Sequence, residues 1–538
     1  MFLQASTTTL FDAADLKLIA PEIILTLCAC VALVMEVVLP KRLSRWTGYF
    51  ALGAAALAAA SVCVLGWPLV SGFLHEVPLV GRLFQPGTAD GVALSGFYGT
   101  LKVDGFAIVF KLIFLLGAAL TVAVSLRYLD VEGEQRGEYY ALVLFATVGM
   151  MFLASGYDLI VLYISLELMA LTFYVLVGYA KRERRSNEAG MKYFLLGAFS
   201  SGILLYGMSL LFGVAGSTNL GEIAPAVARA VSSTAPDITG FSLRPLALLA
   251  MIALAAGLFF KIAAVPFHMW APDAYEGAPT PVTAFLSTGS KAASFALFAR
   301  IFLEALGAMR VDWAPLLGIV AAVTILVGNW AAVTQTNAKR LLAYSSISNA
   351  GYLLLGVIAA NEYGYIGIVI YLVVYTFMNI GAFGVIIALR RRGVIGDEVD
   401  DLTGLGQKAP GMALMMAIFM LSLGGLPVTG GFIGKLYLFW GVLQRGDVEG
   451  KSWYYWLLGW AALNTVVSFY YYVRFIRAMY IGDREADARP LSLSIPLRTA
   501  LVVCAVFVIA IGVYPHPFIK AAGVVAGALA AAGPLALK

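Results

Sequence analysis

Residues 261–279 read Lys261-Ile-Ala-Ala-Val-Pro266-Phe-His268-Met-Trp-Ala-Pro272-Asp273-Ala-Tyr-Glu276-Gly-Ala-Pro279, and they close an apolar stretch that begins near residue 245. A single bilayer crossing takes about 20 residues, and this stretch is far longer. Pro266 and Pro272 each remove a backbone donor and crowd the preceding turn, which argues against one straight helix over 245–276. Broken helices survive at membrane depth only where the freed backbone meets protein or water. A second overlong stretch, 410–443, is built alike: Leu423-Gly-Gly-Leu-Pro427 breaks it, and Gly430-Gly-Phe-Ile-Gly-Lys435 follows. Two broken apolar segments with charge inside them point to an all-α polytopic membrane protein.

Composition agrees. Of 538 residues, 61% are hydrophobic and 12% charged, and the mean hydropathy is +0.88. That is far more apolar than a soluble domain. The N-terminus lacks the basic start of a signal peptide, and the first apolar segment, from about Ile19, reads as a retained span. The net charge of +5 gives no sign of nucleic acid. Cys28, Cys30, Cys63 and Cys504 lie in apolar segments without ligand spacing, which argues against a metal or iron–sulfur site. No Gly-rich phosphate cradle follows a strand, so no cofactor is expected on this chain, and any redox group belongs to other subunits.

Apolar segments bounded by charged or Pro/Gly-rich turns give about fourteen spans. They are 19–39, 47–67, 104–126, 139–155, 157–179, 189–213, 245–276, 282–304, 314–335, 339–360, 364–389, 410–443, 453–480 and 497–514. Stretches 68–103 and 214–244 read as outer loops capping the bundle. Loops after odd-numbered spans hold about twenty Lys/Arg, including Lys41-Arg42, Lys181-Arg182, Lys339-Arg340 and Arg390-Arg391-Arg392, against about eleven elsewhere. Both termini are therefore expected on the outer side. The broken seventh and twelfth spans lie five apart, an odd number. Two five-helix repeats, spans 4–8 and 9–13, would then enter the membrane in opposite senses, as in many transporters. The expected units are 1–130 (three helices and an outer loop), 139–304, 314–480, and 497–538 (the last helix and a tail).

Five lysines fall inside apolar segments: Lys111, Lys192, Lys261, Lys291 and Lys435. A charge at mid-helix costs roughly 2.5–3.5 kcal/mol on insertion scales, so such residues usually mark an ion or proton path. Glu167 stands at the centre of span five, in Tyr163-Ile-Ser-Leu-Glu167-Leu-Met-Ala170. Its functional reading is a partner whose separation from a lysine sets both charges; the plainer alternative is a static pair. Lys261 precedes the seventh-span break, where a cation also satisfies helix-end carbonyls. Lys291 lies amid small residues, Ser287-Thr-Gly-Ser-Lys291-Ala-Ala-Ser294, too deep to snorkel. Lys435 follows the twelfth-span break. Lys192 sits a turn inside span six with Glu188 four residues earlier, so an interfacial i, i+4 pair competes with a relay role. Lys111, outside the repeats, reads as structural. His268, within the break, is a possible proton relay, and Asp273 and Glu276 are possible proton collectors; a hydrogen-bonded loop is the alternative. The runs Trp453-Tyr-Tyr-Trp456 and Tyr470-Tyr-Tyr472 read as aromatic belts at the interface.

The stretch from Lys261 through Pro266-Phe-His-Met-Trp-Ala-Pro-Asp273 to Lys291 resembles the antiporter-like, proton-conducting subunits of respiratory complex I. So do Asn337-Ala-Lys-Arg-Leu-Leu-Ala-Tyr-Ser-Ser-Ile347, Leu423-Gly-Gly-Leu-Pro427 and Gly430-Gly-Phe-Ile-Gly-Lys435. The likeness covers essentially the whole chain and is strongest to the N-type subunits of bacterial NADH:quinone oxidoreductase. Its carriers are Pro-Asp-Ala-Tyr-Glu-Gly-Ala-Pro after His268, Lys192-Tyr-Phe194, and lysine at 435 where M-type subunits have a carboxylate. The long lateral helix of L-type subunits is not expected here, and the 68–103 loop is long for the family. The resemblance implies a proton relay through Glu167, Lys261, Lys291 and Lys435, with Lys192 as an added relay lysine. It also implies the other membrane subunits of complex I and the lipid bilayer as partners, with NADH and quinone met only through other subunits. The setting it implies is a bacterial inner membrane. Two alternatives stay open: an Mrp-type cation/proton antiporter subunit, and a static bundle that anchors a complex.

Overall fold

A computed structural model of the chain describes residues 13–40, 43–76, 93–134, 137–232, 242–390, 396–481 and 493–532. The bundle opens with α1 (Ala20–Val38) and α2 (Arg45–Leu65), then a hairpin of β1 (Ala93–Gly96) and β2 (Leu101–Asp104) paired antiparallel. There follow α3 (Gly105–Glu132), α4 (Gly137–Ser155), α5 (Leu159–Val177) and α6 (Arg184–Ala215). The seventh expected span is two helices, α7 (Arg244–Ile262) and α8 (Trp270–Gly277). Next comes α9, a continuous helical stretch over 280–305, whose Leu286–Ser290 and Arg300–Ala305 turns are π-helical. After it run α10 (Arg310–Thr334), α11 (Ala338–Ala359) and α12 (Glu362–Leu389). The second broken span is α13 (Pro410–Gly424) with α14 (Gly430–Glu449), and α15 (Ser452–Ile481), α16 (Ile495–Val513) and α17 (His516–Ala532) complete the bundle.

Helix starts are fixed by short polar side chains. Asp104 accepts from Ala107 N at 2.9 Å to open α3, and Asp158 accepts from Ile160 N at 2.8 Å to open α5. Asn337 and Asn361 do the same for α11 and α12, through Arg340 N at 3.0 Å and Gly364 N at 2.9 Å. Each cap satisfies a donor that the first turn leaves free. Helices α11 and α12 lie at the centre, buried over almost their whole length, whereas α1, α2 and α16 leave most of their apolar surface outside the chain. Small residues let the central helices touch: a Cβ on Gly328 of α10 would lie 2.6 Å from Ser348 N of α11.

The breaks are where Pro and Gly put them. Helix α7 stops on Ala263 in the left-handed region, and its freed Phe260 carbonyl accepts both Ala263 N and the Trp270 indole N–H. Helix α13 stops on Gly425 at φ +83°, a conformation that glycine adopts without Cβ strain.

Several expectations need correction. Among the described residues, eleven helices are by themselves long and apolar enough to cross a bilayer. The eighth expected span, α9, runs on through its π turns, the twelfth is split in two as its break predicts, and the thirteenth, α15, is diluted by tyrosines, tryptophans and arginines. The outer stretches are not plain loops. They hold the hairpin and the helices Trp67–Glu76 and Leu220–Ser232, while 77–92 and 233–241 lie outside the described residues. The expected tail contains α17. Lys41, Arg42, Arg391 and Arg392, used for orientation, also lie outside the described residues.

Candidate functional site

Four of the expected residues lie inside the bundle. Lys261, Lys291 and Lys435 are each 3–6% exposed, and Glu167 on α5 is partly buried. Lys261 does not cap its own broken helix; Trp270 does that, and the Lys261 Nζ donates to Ser201 Oγ of α6 at 3.2 Å. Glu167 lies within Coulombic reach of Lys261, yet no ion pair joins them among the described residues, and Glu167 Oε1 has no hydrogen-bond partner. The pair is near but apart.

Lys291 sits between the two π turns of α9, and its Nζ donates to the main-chain oxygen of Ser346 and, at 2.6 Å, to Ser346 Oγ. Lys435 reaches back across its break: Nζ donates to Leu423 O, at the end of α13, at 2.8 Å. Its ammonium also stands 4.9 Å from the Tyr352 ring centroid, a favourable contact for a desolvated cation. Gly425 leaves room for its stem, since a Cβ there would meet Lys435 Cδ at 3.2 Å.

Ser346 and Tyr352 both belong to α11, six residues and about 9 Å apart along the axis. Between and around them α11 carries Ser345, Ser348 and Asn349, all buried. Ser346 Oγ lies 3.3 Å from Tyr275 OH of α8. Tyr371 OH donates to Asn349 Oδ1 at 2.8 Å, Asn349 Nδ2 reaches Ser345 Oγ at 3.4 Å, and Ser345 shares a hydrogen bond with Tyr472. Tyr352 OH accepts from Thr465 at 3.2 Å, and Tyr471 OH donates to Asn329 Oδ1 at 2.9 Å. A polar face on one buried helix therefore joins the surroundings of Lys291 to those of Lys435.

Sequence reasoning missed this face. The run Ser345-Ser-Ile-Ser-Asn349 inside an apolar segment was its signal. It also misplaced Tyr471 and Tyr472, which are not an interface belt but 0–1% exposed members of the network. Lys339 is another correction: it is no loop charge but a buried lysine whose Nζ donates to Glu276 O and Ala278 O, both at 2.7 Å, closing the end of α8.

Around that end lies a wetter cluster. Lys192 is paired with Glu188 and with Asp273, both at 2.9 Å, so the expected i, i+4 pair forms and reaches further. Arg340 binds Asp273 at 3.0 Å and Glu276 at 2.9 Å. His268 is half-buried in the break, and its Nδ1 has no hydrogen-bond partner. Lys111 stands apart, paired with Glu22 of α1 at 2.7 Å. The four cysteines are free, and no cluster of metal-ligating side chains occurs among the described residues.

Two broken helices, each carrying a buried lysine, define an antiporter-type membrane subunit. The transmembrane family described as NADH:quinone oxidoreductase/Mrp antiporter matches residues 156–458. The chain is 48% identical to NADH-quinone oxidoreductase subunit N 1 of Koribacter versatilis, over 96% of each chain. It is also similar to a chain of respiratory complex I from Thermus thermophilus with bound aureothin: 31% identity, TM-score 0.71, 92% of this chain and 97% of that one. A chain of an Mrp complex from Dietzia sp. shares the fold, with a TM-score of 0.73 at 21% identity over 94% and 97% of the two chains. The chain belongs to the NADH-quinone oxidoreductase subunit N family.

Proposed function

We propose that this chain is a membrane-arm subunit of proton-translocating NADH:quinone oxidoreductase in a bacterial inner membrane, and that protons cross it through Lys291 and Lys435. The observation that carries the path is α11: one buried helix binds Lys291 through Ser346 and faces Lys435 with Tyr352. In this reading both termini face outward, and the segments 139–304 and 314–480 are inverted repeats. A proton enters from the cytoplasm by the half-exposed cluster of Lys192, Glu188, Asp273, Glu276 and Arg340. It passes to Lys291, whose hold on it depends on the distance between Glu167 and Lys261. It then moves along the polar face of α11 to Lys435 and leaves outward through the second repeat. The path as proposed does not pass through His268, whose Nδ1 has no hydrogen-bond partner. Partners are the other membrane subunits, and electrons from NADH reach quinone on other chains.

The test is gentle extraction of native membranes followed by native electrophoresis. The chain is expected to co-migrate with NADH:quinone oxidoreductase activity in one large complex. Migration with other membrane subunits, without that activity but with cation-dependent proton exchange, contradicts the reading and favours the Mrp type.

A further inference from the structure

At the end of α9 remote from that exposed cluster, four ionisable side chains meet, three of them buried. Arg300 donates to both oxygens of Asp104, at 2.8 and 3.0 Å, to Ala154 O at 3.1 Å, and to Glu304 one turn on. Lys102 of β2 stands 3.5 Å from Glu304 and 3.7 Å from Asp104. Two cations face two anions, so the group is neutral as a whole. Arg300, Glu304 and Asp104 are only 0–3% exposed, and Lys102 alone of the four reaches the surface. The guanidinium also lies 4.5 Å from the Phe106 ring centroid.

Between this clamp and Lys291 the chain turns dry. Residues 295–299 of α9 are Phe-Ala-Leu-Phe-Ala. Phe295, Phe298 and Phe302 follow one another at centroid distances of 6.5 and 4.5 Å, with Phe259 and Trp313 packed on them at 6.4 and 5.8 Å. Proton hopping needs a chain of donors and acceptors, and an aromatic layer has none. Beyond it stands a guanidinium that does not give up its proton, held by two carboxylates and so unable to pass a proton on. At the other end of this half, the charged cluster has side chains 24–56% exposed.

We propose that the Phe295–Phe298–Phe302 layer and the Arg300–Asp104–Glu304 clamp form a seal that closes the first half of the chain to the outer side, so that a proton on Lys291 leaves only toward Lys435. This rests on the reading of Lys291 as a proton carrier and of the clamp as outward-facing. The clamp is a positioning device; its members do not carry the transported proton. Direction across the membrane then follows from the charged cluster at one end of α9 being exposed and the clamp at the other being buried.

The whole complex, carrying Phe298→Ala or Glu304→Gln in this chain, is reconstituted into liposomes. Glu304→Gln keeps the Arg300–Asp104 contact, and Phe298→Leu replaces Phe298→Ala should that complex not assemble. Three quantities are read: decay of an imposed pH gradient without NADH, protons moved per NADH, and the rate of NADH oxidation by quinone. The seal predicts gradient decay several-fold faster, fewer protons per NADH, unchanged electron transfer, and suppression of the leak when Lys291→Ala is added. Unchanged decay and stoichiometry in assembled variants, with Lys291→Ala alone still impairing pumping, overturn the seal only. Full pumping by Lys291→Ala alone removes the carrier and the seal together.

Discussion

Lys291, Lys339 and Lys435 all end on main-chain carbonyl oxygens, whereas Lys111 ends on the carboxylate of Glu22. The difference is chemical. A lysine bound only to neutral acceptors loses no counter-ion when its proton moves, so its charge is free to change with its surroundings. Lys111 and Glu22 stand 2.7 Å apart, and each is 1% exposed. Removing one partner of such a pair leaves an unpaired buried charge, which costs about 3–5 kcal/mol, while replacing both by apolar residues costs far less. Lys111→Met is therefore expected to lower the melting temperature of the extracted complex markedly, and Lys111→Met with Glu22→Leu to restore most of it. Proton stoichiometry of the double variant should match the parent. A double variant as unstable as the single would mean that the pair is not the stabilising unit.

At the scale of elements, the two breaks do different work. In the first, Trp270 takes the freed carbonyl and Lys261 turns to Ser201; in the second, Lys435 itself takes Leu423 O. Gly425 is the hinge of that arrangement. Gly425→Ala forces a Cβ into a left-handed residue, at about 1–2 kcal/mol, and against the Lys435 stem. Protons per NADH should fall while electron transfer persists; an unchanged ratio would show that Lys435 does not need its bond to Leu423. Both breaks were legible in the sequence because Pro and Gly act locally, whatever surrounds them. The polar face of α11 was not. Serines and an asparagine in an apolar segment announce a function only once the partners Tyr371, Tyr472 and Lys291 are known to converge on them from three other helices. Lys339 was misread because it adjoins Arg340 at a helix start, where sequence alone gives every cation to the aqueous side.

Across the whole molecule, the all-α membrane class was legible in composition, and the burial of Lys261, Lys291 and Lys435 in their place inside apolar segments; that α11 and α12 form the buried centre was not. Eleven described helices pass for spans on their own length and hydropathy; α9, α13–α14 and α15 do not, because π turns, a break and tyrosines fall within them. Orientation rests on loop charges, and it is open to direct test. Tyr98, 78% exposed in the turn of the hairpin, and the exposed Lys181 between α5 and α6 should face opposite sides. In a chain freed of its native cysteines, Tyr98→Cys is expected to react with an impermeant thiol reagent added outside spheroplasts, and Lys181→Cys only after lysis. The reverse pattern would invert the proposed path and place the seal on the cytoplasmic side.

The most direct measurement is the number of protons moved per NADH by the reconstituted complex carrying Lys291→Ala in this chain. The account predicts an assembled complex that still passes electrons to quinone and moves fewer protons for each NADH. A complex that assembles, turns over and keeps the parent's ratio would contradict it.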